Sequence, residues 1–198
     1  FKKGKGSFLY TYNGVKFLDF VQGIAVNSLG HTNPVLVKAI KKQSQKLWHV
    51  SNSFKIPEGE ELAKKLTNKT FADAVIFQNS GAEATEAAIK VARRYFYSIG
   101  KPKKNRILCI KNSFHGRTIA AINASGSKKM IEGFGPKVGG FDHFKFGNHK
   151  ELKKKITNKT AAIMIEPIMG EGGIKVIPTW CLKEIRKICN KKKILLIL

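Results

Sequence analysis

Four short segments constrain the fold more than anything else in the sequence, because each is apolar without interruption. They are Ala74-Val75-Ile76-Phe77, Ile107-Leu108-Cys109-Ile110, Ala161-Ala162-Ile163-Met164-Ile165 and Ile194-Leu195-Leu196-Ile197-Leu198. A strand with one wet face alternates apolar and polar residues. A strand without alternation is buried on both faces, as in a parallel sheet between two helix layers. Stretches with helical spacing lie between these segments. Glu83 to Tyr97 is rich in alanine and places Ala84, Ala88, Val91 and Tyr95 on one face, with Glu86 four residues before Lys90. His149 to Ile156 and Pro178 to about Asn190 read as further helices, and His143 to Phe146 as a shorter strand. The fold class is therefore α/β, a mainly parallel sheet covered by helices on both faces. Ligands of such sheets gather at the carboxyl ends of the strands.

The beginning of the chain has a different pattern. Asn13-Gly14 separates the β-rich runs Phe8 to Tyr12 and Val15 to Phe20, which predicts a hairpin. Pro34 opens a segment in which Val37, Ile40, Leu47 and Trp48 share a helical face, and Pro57-Glu58 opens another with Leu62, Ala63 and Leu66. Residues 1–50 are read as a small hairpin-and-helix segment, and 51–198 as the first part of a larger sheet domain. Phe1 stands where an initiator methionine would be, and Leu198 lies inside an apolar run whose backbone needs neighbours. The sheet is expected to be incomplete, and the chain to be a piece of a longer protein.

Charge raises a rival class of function. Lys and Arg number 37 against 13 Asp and Glu, a net charge of +24, which ordinarily points to nucleic acid or an anionic surface. The lysines are scattered, however, as Lys2-Lys3, Lys41-Lys42, Lys64-Lys65, Lys103-Lys104, Lys153-Lys154-Lys155 and Lys191-Lys192-Lys193. Arginine is scarce, and no basic run is interleaved with aromatics to form a stacking platform. A solvated surface bias with no specific nucleic-acid partner is the expectation, and a basic nucleic-acid-binding module is the alternative. No apolar run is long enough to span a bilayer, so no membrane partner is expected. Cys109, Cys181 and Cys189 are odd in number and form no CxxC pair. That argues against a disulfide framework or a metal site and fits a reducing, cytoplasmic compartment.

Three loops carry chemistry. Gln78-Asn79-Ser80-Gly81-Ala82-Glu83 joins a strand to a helix, where free N–H groups and the helix dipole suit an anion and small residues allow close approach. Ser80 with Glu83 equally matches a plain capping box. Ser113-Phe114-His115-Gly116-Arg117 follows the next strand; an aromatic face can cover a planar heterocycle and an arginine can clamp a carboxylate bidentately. His115 would be a convenient acid or base, although a lone histidine beside glycine is more often structural. Glu166-Pro167-Ile168-Met169-Gly170-Glu171-Gly172-Gly173 follows a third strand and brings two carboxylates, or else is a Pro/Gly-shaped loop with exposed acids.

These motifs, in this order, resemble the class III (ornithine-type) aminotransferases, which use pyridoxal 5′-phosphate. Asn79 to Ala84, Phe114 to Arg117 and Glu166 to Gly173 look like that family's phosphate loop, ring-stacking loop and second active-site loop. The likeness extends through Leu18-Asp19-Phe20, Gly23 to Asn27, Gly30-His31 and Gly133-Phe134-Gly135-Pro136. Ile24 to His31 and Phe114 to Thr118 are most similar to the branch that acts on acetylornithine. The resemblance implies a fold-type I enzyme, a cytoplasmic homodimer of arginine biosynthesis that transfers an amino group from an amino acid to a 2-oxo acid. Ornithine, succinylornithine, succinyldiaminopimelate and 4-aminobutyrate are alternative donors.

By the same resemblance, Ser80, Gly81 and Ala82 bind the cofactor phosphate and Phe114 stacks on the pyridine ring. Arg117 holds the substrate α-carboxylate, Glu171 partners an arginine further along, and Glu166 is a neighbouring active-site carboxylate. The family's aspartate at the pyridine nitrogen, its cofactor-binding lysine and the threonine reaching across the dimer match no position here. The chain alone is expected to be inactive.

Overall fold

The Asn13-Gly14 hairpin forms. In the computed structural model, which describes residues 1–51 and 53–198, β1 (Lys3–Lys5), β2 (Phe8–Tyr10) and β3 (Lys16–Leu18) make an antiparallel sheet in that order. Gly14 turns between β2 and β3 at a φ of +87°, a region glycine enters at little cost. Asp19 then accepts from the backbone N–H groups of Gln22 at 2.9 Å and Val21 at 3.0 Å, and meets His31 Nε2 at 2.6 Å. These bonds, led by that from Gln22, hold its carboxyl below the usual carboxylate range.

Helix α1 (Pro34–Ser44) starts at Asn33, whose side chain accepts from the N–H groups of Val35 and Leu36. Leu47 and Trp48 lie beyond its last turn and are exposed, so the expected four-residue face does not form. Helix α2 (Pro57–Lys69) follows, with proline at its start. Phe1–Val75, α2 included, forms one unit and Ile76–Leu198 another, whereas the sequence reading drew its line after residue 50. Ala74 to Phe77 is not the expected strand. It pairs with no strand among the described residues, and Ile76 and Phe77 are exposed. An apolar run becomes a strand only where a neighbour completes its hydrogen bonds.

The second unit contains α3 (Gly81–Ser98), β4 (Arg106–Ile110), α4 (Ile119–Ser125), α5 (Lys128–Ile131) and β5 (Phe141–Phe144). It continues with α6 (His149–Lys155), β6 (Thr160–Met164), β7 (Ile168–Met169), β8 (Lys175–Val176), α7 (Thr179–Lys192) and β9 (Leu195–Ile197). Strands β5, β4, β6 and β9, in that order, form a parallel sheet. Strand β5 lies two residues before the expected His143 to Phe146, because Phe141 pairs with Ile107.

Strand alternation feeds two cores. Leu108, Ile110, Ile163 and Ile165 pack with Leu152 of α6 and Cys181, Ile185 and Cys189 of α7. Ile107, Cys109, Ala162 and Met164 face Ile89 and Ala92 of α3 and Ala124 of α4. On α3 the buried face is thus Ile89, Ala92 and Phe96, and the expected Val91 and Tyr95 are exposed. Both rows have helical spacing, and the sheet selects the one it covers. Glu86 accepts from Thr118 of the 111–118 loop rather than forming the expected pair with Lys90.

The site's position follows from the topology. The chain travels from β4 outward to β5 through α4, then back to β6 through α6 and on to β9 through α7. Right-handed crossovers put helices of opposite travel on opposite faces. Neighbouring β4 and β6 therefore send their exits to opposite faces, and a crevice opens between their carboxyl ends.

Candidate active site

The first turn of α3 is capped and leaves two donors free. Ser80 Oγ accepts from the Glu83 N–H at 3.2 Å and donates to Glu83 Oε2 at 3.4 Å, and the Ser80 carbonyl accepts from Ala84 at 3.0 Å. The capping box thus satisfies Glu83 and Ala84. The N–H groups of Gly81 and Ala82 find no acceptor among the described residues, and a Cβ on Gly81 would meet nothing within 4 Å. Two free donors at the positive end of an 18-residue helix, with open space before them, suit a phosphate.

The loop after β4 is rigidly tied. Buried Ser113 donates its hydroxyl to the Ile110 carbonyl at 2.7 Å, so His115 Nε2, 2.8 Å from the same oxygen, must be the donor to it. Burial, with a smaller effect from His143, pushes His115 down to about 4. The imidazole is therefore neutral at pH 7, a fixed brace rather than a proton carrier. Between them, half-buried Phe114 donates its backbone N–H to Glu166 Oε1 at 2.6 Å. Gly116 stands at φ +116°, and a Cβ there would lie 3.2 Å from Ala82 Cα, so this loop rests directly on the first turn of α3. Only glycine meets both demands. Arg117 is exposed, its Cζ 5.8 Å from the Phe114 ring centroid, and it enters none of the ion pairs among the described residues.

Glu166 follows β6, which is how it reaches Phe114. Strands β7 and β8 form an unanticipated ribbon, and at its turn a Cβ on Gly172 would lie 3.1 Å from the Asn112 carbonyl oxygen. The turn thus leans on the Ser113 loop and presents exposed Glu171 beside it. The three loops touch at two points: Gly116 of the second rests on Ala82 of the first, and Phe114 of the second donates to Glu166 of the third. Sequence reasoning named Ser113, Glu86 and Thr118 but gave none of them a part in tying the loops together; Thr118 is visible in retrospect as the N-cap of α4.

Other features of the surface carry no such set. A depression of about 730 Å³ beyond β4 and β5 is lined by Lys111, Gly133, Gly135, His143, Lys145 and Glu151, among others, and by none of the candidate site residues. Among the described residues no His, Cys, Asp and Glu group suits a metal ion, and no helix is long and apolar enough to cross a membrane. All three cysteines are buried free thiols.

A family model described as aminotransferase class-III matches residues 1–198. Acetylornithine aminotransferase of Agrobacterium fabrum is 55% identical over 197 residues, and that of Brucella melitensis 51% over 198; each match covers 100% of this chain and 49% of the relative. The chain spans about half the length of the curated relatives it matches. Among solved structures, ornithine aminotransferase from Toxoplasma gondii superposes with a TM-score of 0.92 at 30% identity, covering 98% of this chain and 47% of that one. An omega transaminase from Pseudomonas jessenii in complex with PMP gives 0.89 at 28%, covering 98% and 49%.

Proposed function

This chain belongs to the class III aminotransferase family, and we propose that the protein carrying it transfers an amino group from N-acetylornithine to 2-oxoglutarate, with pyridoxal 5′-phosphate as its cofactor. The observation that carries the reading is the convergence of the three loops, fixed by the bond from Phe114 to Glu166 and the seating of Gly116 on Ala82. Relatives about half identical in sequence and bearing the acetylornithine name support the donor.

The residues present fit the cofactor. Gly81 and Ala82 offer two unpaired N–H donors with room for a phosphate, while Phe114 presents a ring held from both flanks. When bound, pyridoxal phosphate would carry the amino group and take up the electron pair released at the carbon bearing the substrate's free amine, which in N-acetylornithine is the terminal δ-carbon. Gly81 and Ala82 hold its phosphate, with Ser80 as the cap that keeps the helix start open. Phe114 covers one face of its ring, and Glu166 fixes the Phe114 backbone. Arg117 grips the substrate carboxylate through two parallel charge-assisted hydrogen bonds. Glu171, on its exposed turn, is assigned by family resemblance to pair with an arginine from further along the protein.

No lysine of this chain matches the position at which the family binds its cofactor covalently, so the chain alone is assigned no turnover. Large apolar side chains left exposed on the first unit, such as Phe20, Val26 and Trp48, favour coverage in an assembly, which we read as the family's homodimer. Three buried free thiols fit a reducing, cytoplasmic setting. The test is a donor panel with 2-oxoglutarate on the full-length protein, reading glutamate. Acetylornithine should give the highest kcat/KM. Succinylornithine is the second reading, since a Pseudomonas aeruginosa relative 45% identical is named for both donors. A clear preference for 4-aminobutyrate would overturn the assignment.

A further inference from the structure

The phosphate helix and the arginine loop are joined by a bond that no part of the assignment above uses. Thr118, the residue after Arg117, donates its hydroxyl to Glu86 Oε1 at 2.5 Å. Thr118 Oγ1 in turn accepts from the Ala121 N–H at 3.1 Å as the N-cap of α4. Glu86 stands on α3, little more than a turn beyond Gly81 and Ala82. The peptide on the other side of Arg117 is fixed as well, because Gly116 rests on Ala82. Arg117 is thus strung between two anchors on one helix, while its own side chain is exposed and outside every ion pair among the described residues.

We infer that Glu86 and Thr118 are positioning residues: their hydrogen bond sets the distance from the phosphate-binding turn of α3 to Arg117, and so the fit of carboxylate-bearing substrates. The inference rests on the reading of Arg117 as a carboxylate clamp. Glu86 touches neither substrate nor cofactor; it acts through Thr118. Losing the strut frees the Arg117 backbone while both N–H donors at Gly81 and Ala82 stay in place. Binding of a carboxylate should suffer and binding of a phosphate should not.

The test uses the full-length protein and two unreactive probes followed by calorimetry, glutarate on the cofactor-loaded form and inorganic phosphate on the cofactor-free form. Glu86→Ala should weaken glutarate about 3- to 30-fold, the range expected when a coupling residue is removed, and leave phosphate within about twofold. Thr118→Val should do the same, and the double variant should be no worse than Thr118→Val alone. Thr118→Ser keeps the hydroxyl and should restore glutarate binding, which a purely structural role for the methyl group would not. Glu86→Ala with unchanged glutarate affinity overturns the strut, and equal losses for both probes reduce it to general destabilisation. Wild-type protein that ignores glutarate, or an Arg117→Ala variant that still binds it normally, overturns the clamp itself and the strut with it.

Discussion

At the scale of single residues, Arg117 and His115 make opposite kinds of prediction. In the proposed reading Arg117 grips the substrate carboxylate, and truncating it would remove a bidentate, charge-assisted contact. In the full-length protein Arg117→Ala should raise the KM for amino donor roughly 10- to 150-fold, the equivalent of ~1.5–3 kcal/mol, with much smaller loss of cofactor retention. Equal losses would show that the residue serves the cofactor. His115 is a brace. Its proton affinity is pushed down to about 4 by burial, so the unfolded chain, with an ordinary histidine near 6.5, takes up the proton first as pH falls. Stability should therefore be fully present above about pH 6.5 and fall between there and pH 4. His115→Gln should flatten that part of a urea-midpoint profile against pH; an unchanged slope would show that another group titrates. The small residues and the aromatic of the site were legible in sequence because their bulk, or its absence, is itself the signal. The tie between Phe114 and Glu166 was not, because it joins positions 52 apart through a sheet whose strand order no local pattern encodes.

At the scale of elements, what the sequence announced were the strands that the sheet buries twice. Segments 107–110 and 161–165 were found nearly in register because both faces of each need apolar cover. Ala74 to Phe77 looked the same and failed for want of a partner strand. Helix α3 was found and its buried face mistaken, since Ala84-Ala88-Val91 and Ile89-Ala92-Phe96 are equally periodic and only the sheet distinguishes them. Helix α4 was overlooked in a glycine-rich interval although Thr118 caps it. The element that most needs its sequence is the Gly116 turn. Gly116→Ala combines a left-handed φ with a 3.2 Å contact to the Ala82 backbone, tight enough that α3 must give by a few tenths of an ångström. It should lower stability by about 1–3 kcal/mol and loosen phosphate binding at α3, read as the denaturation midpoint and by calorimetry. An unperturbed variant would mean that the loop does not bear on Ala82.

At the scale of the whole molecule, the charge and the site give separate answers. A net charge of +24 carried by dispersed lysines should produce nucleic-acid binding that is sequence-blind and falls steeply with salt. Retention of one sequence over others at 200 mM salt, a concentration at which such contacts are largely lost, would revive the nucleic-acid reading. In the proposed reading, specific positive charge toward an anionic cofactor and carboxylate substrates comes from Arg117 and from the positive end of the α3 dipole rather than from the dispersed lysines. The order of the motifs along the chain led to the proposed site, and the contacts of Gly116 with Ala82 and of Phe114 with Glu166 tie the three loops to one another. The most direct measurement is glutamate formation by the purified full-length protein from N-acetylornithine and 2-oxoglutarate, with and without added pyridoxal phosphate. The predicted result is glutamate production that depends on the cofactor and that Arg117→Ala shifts to higher donor concentration. A folded protein that produces no glutamate from any donor on the panel, cofactor present, would contradict the account.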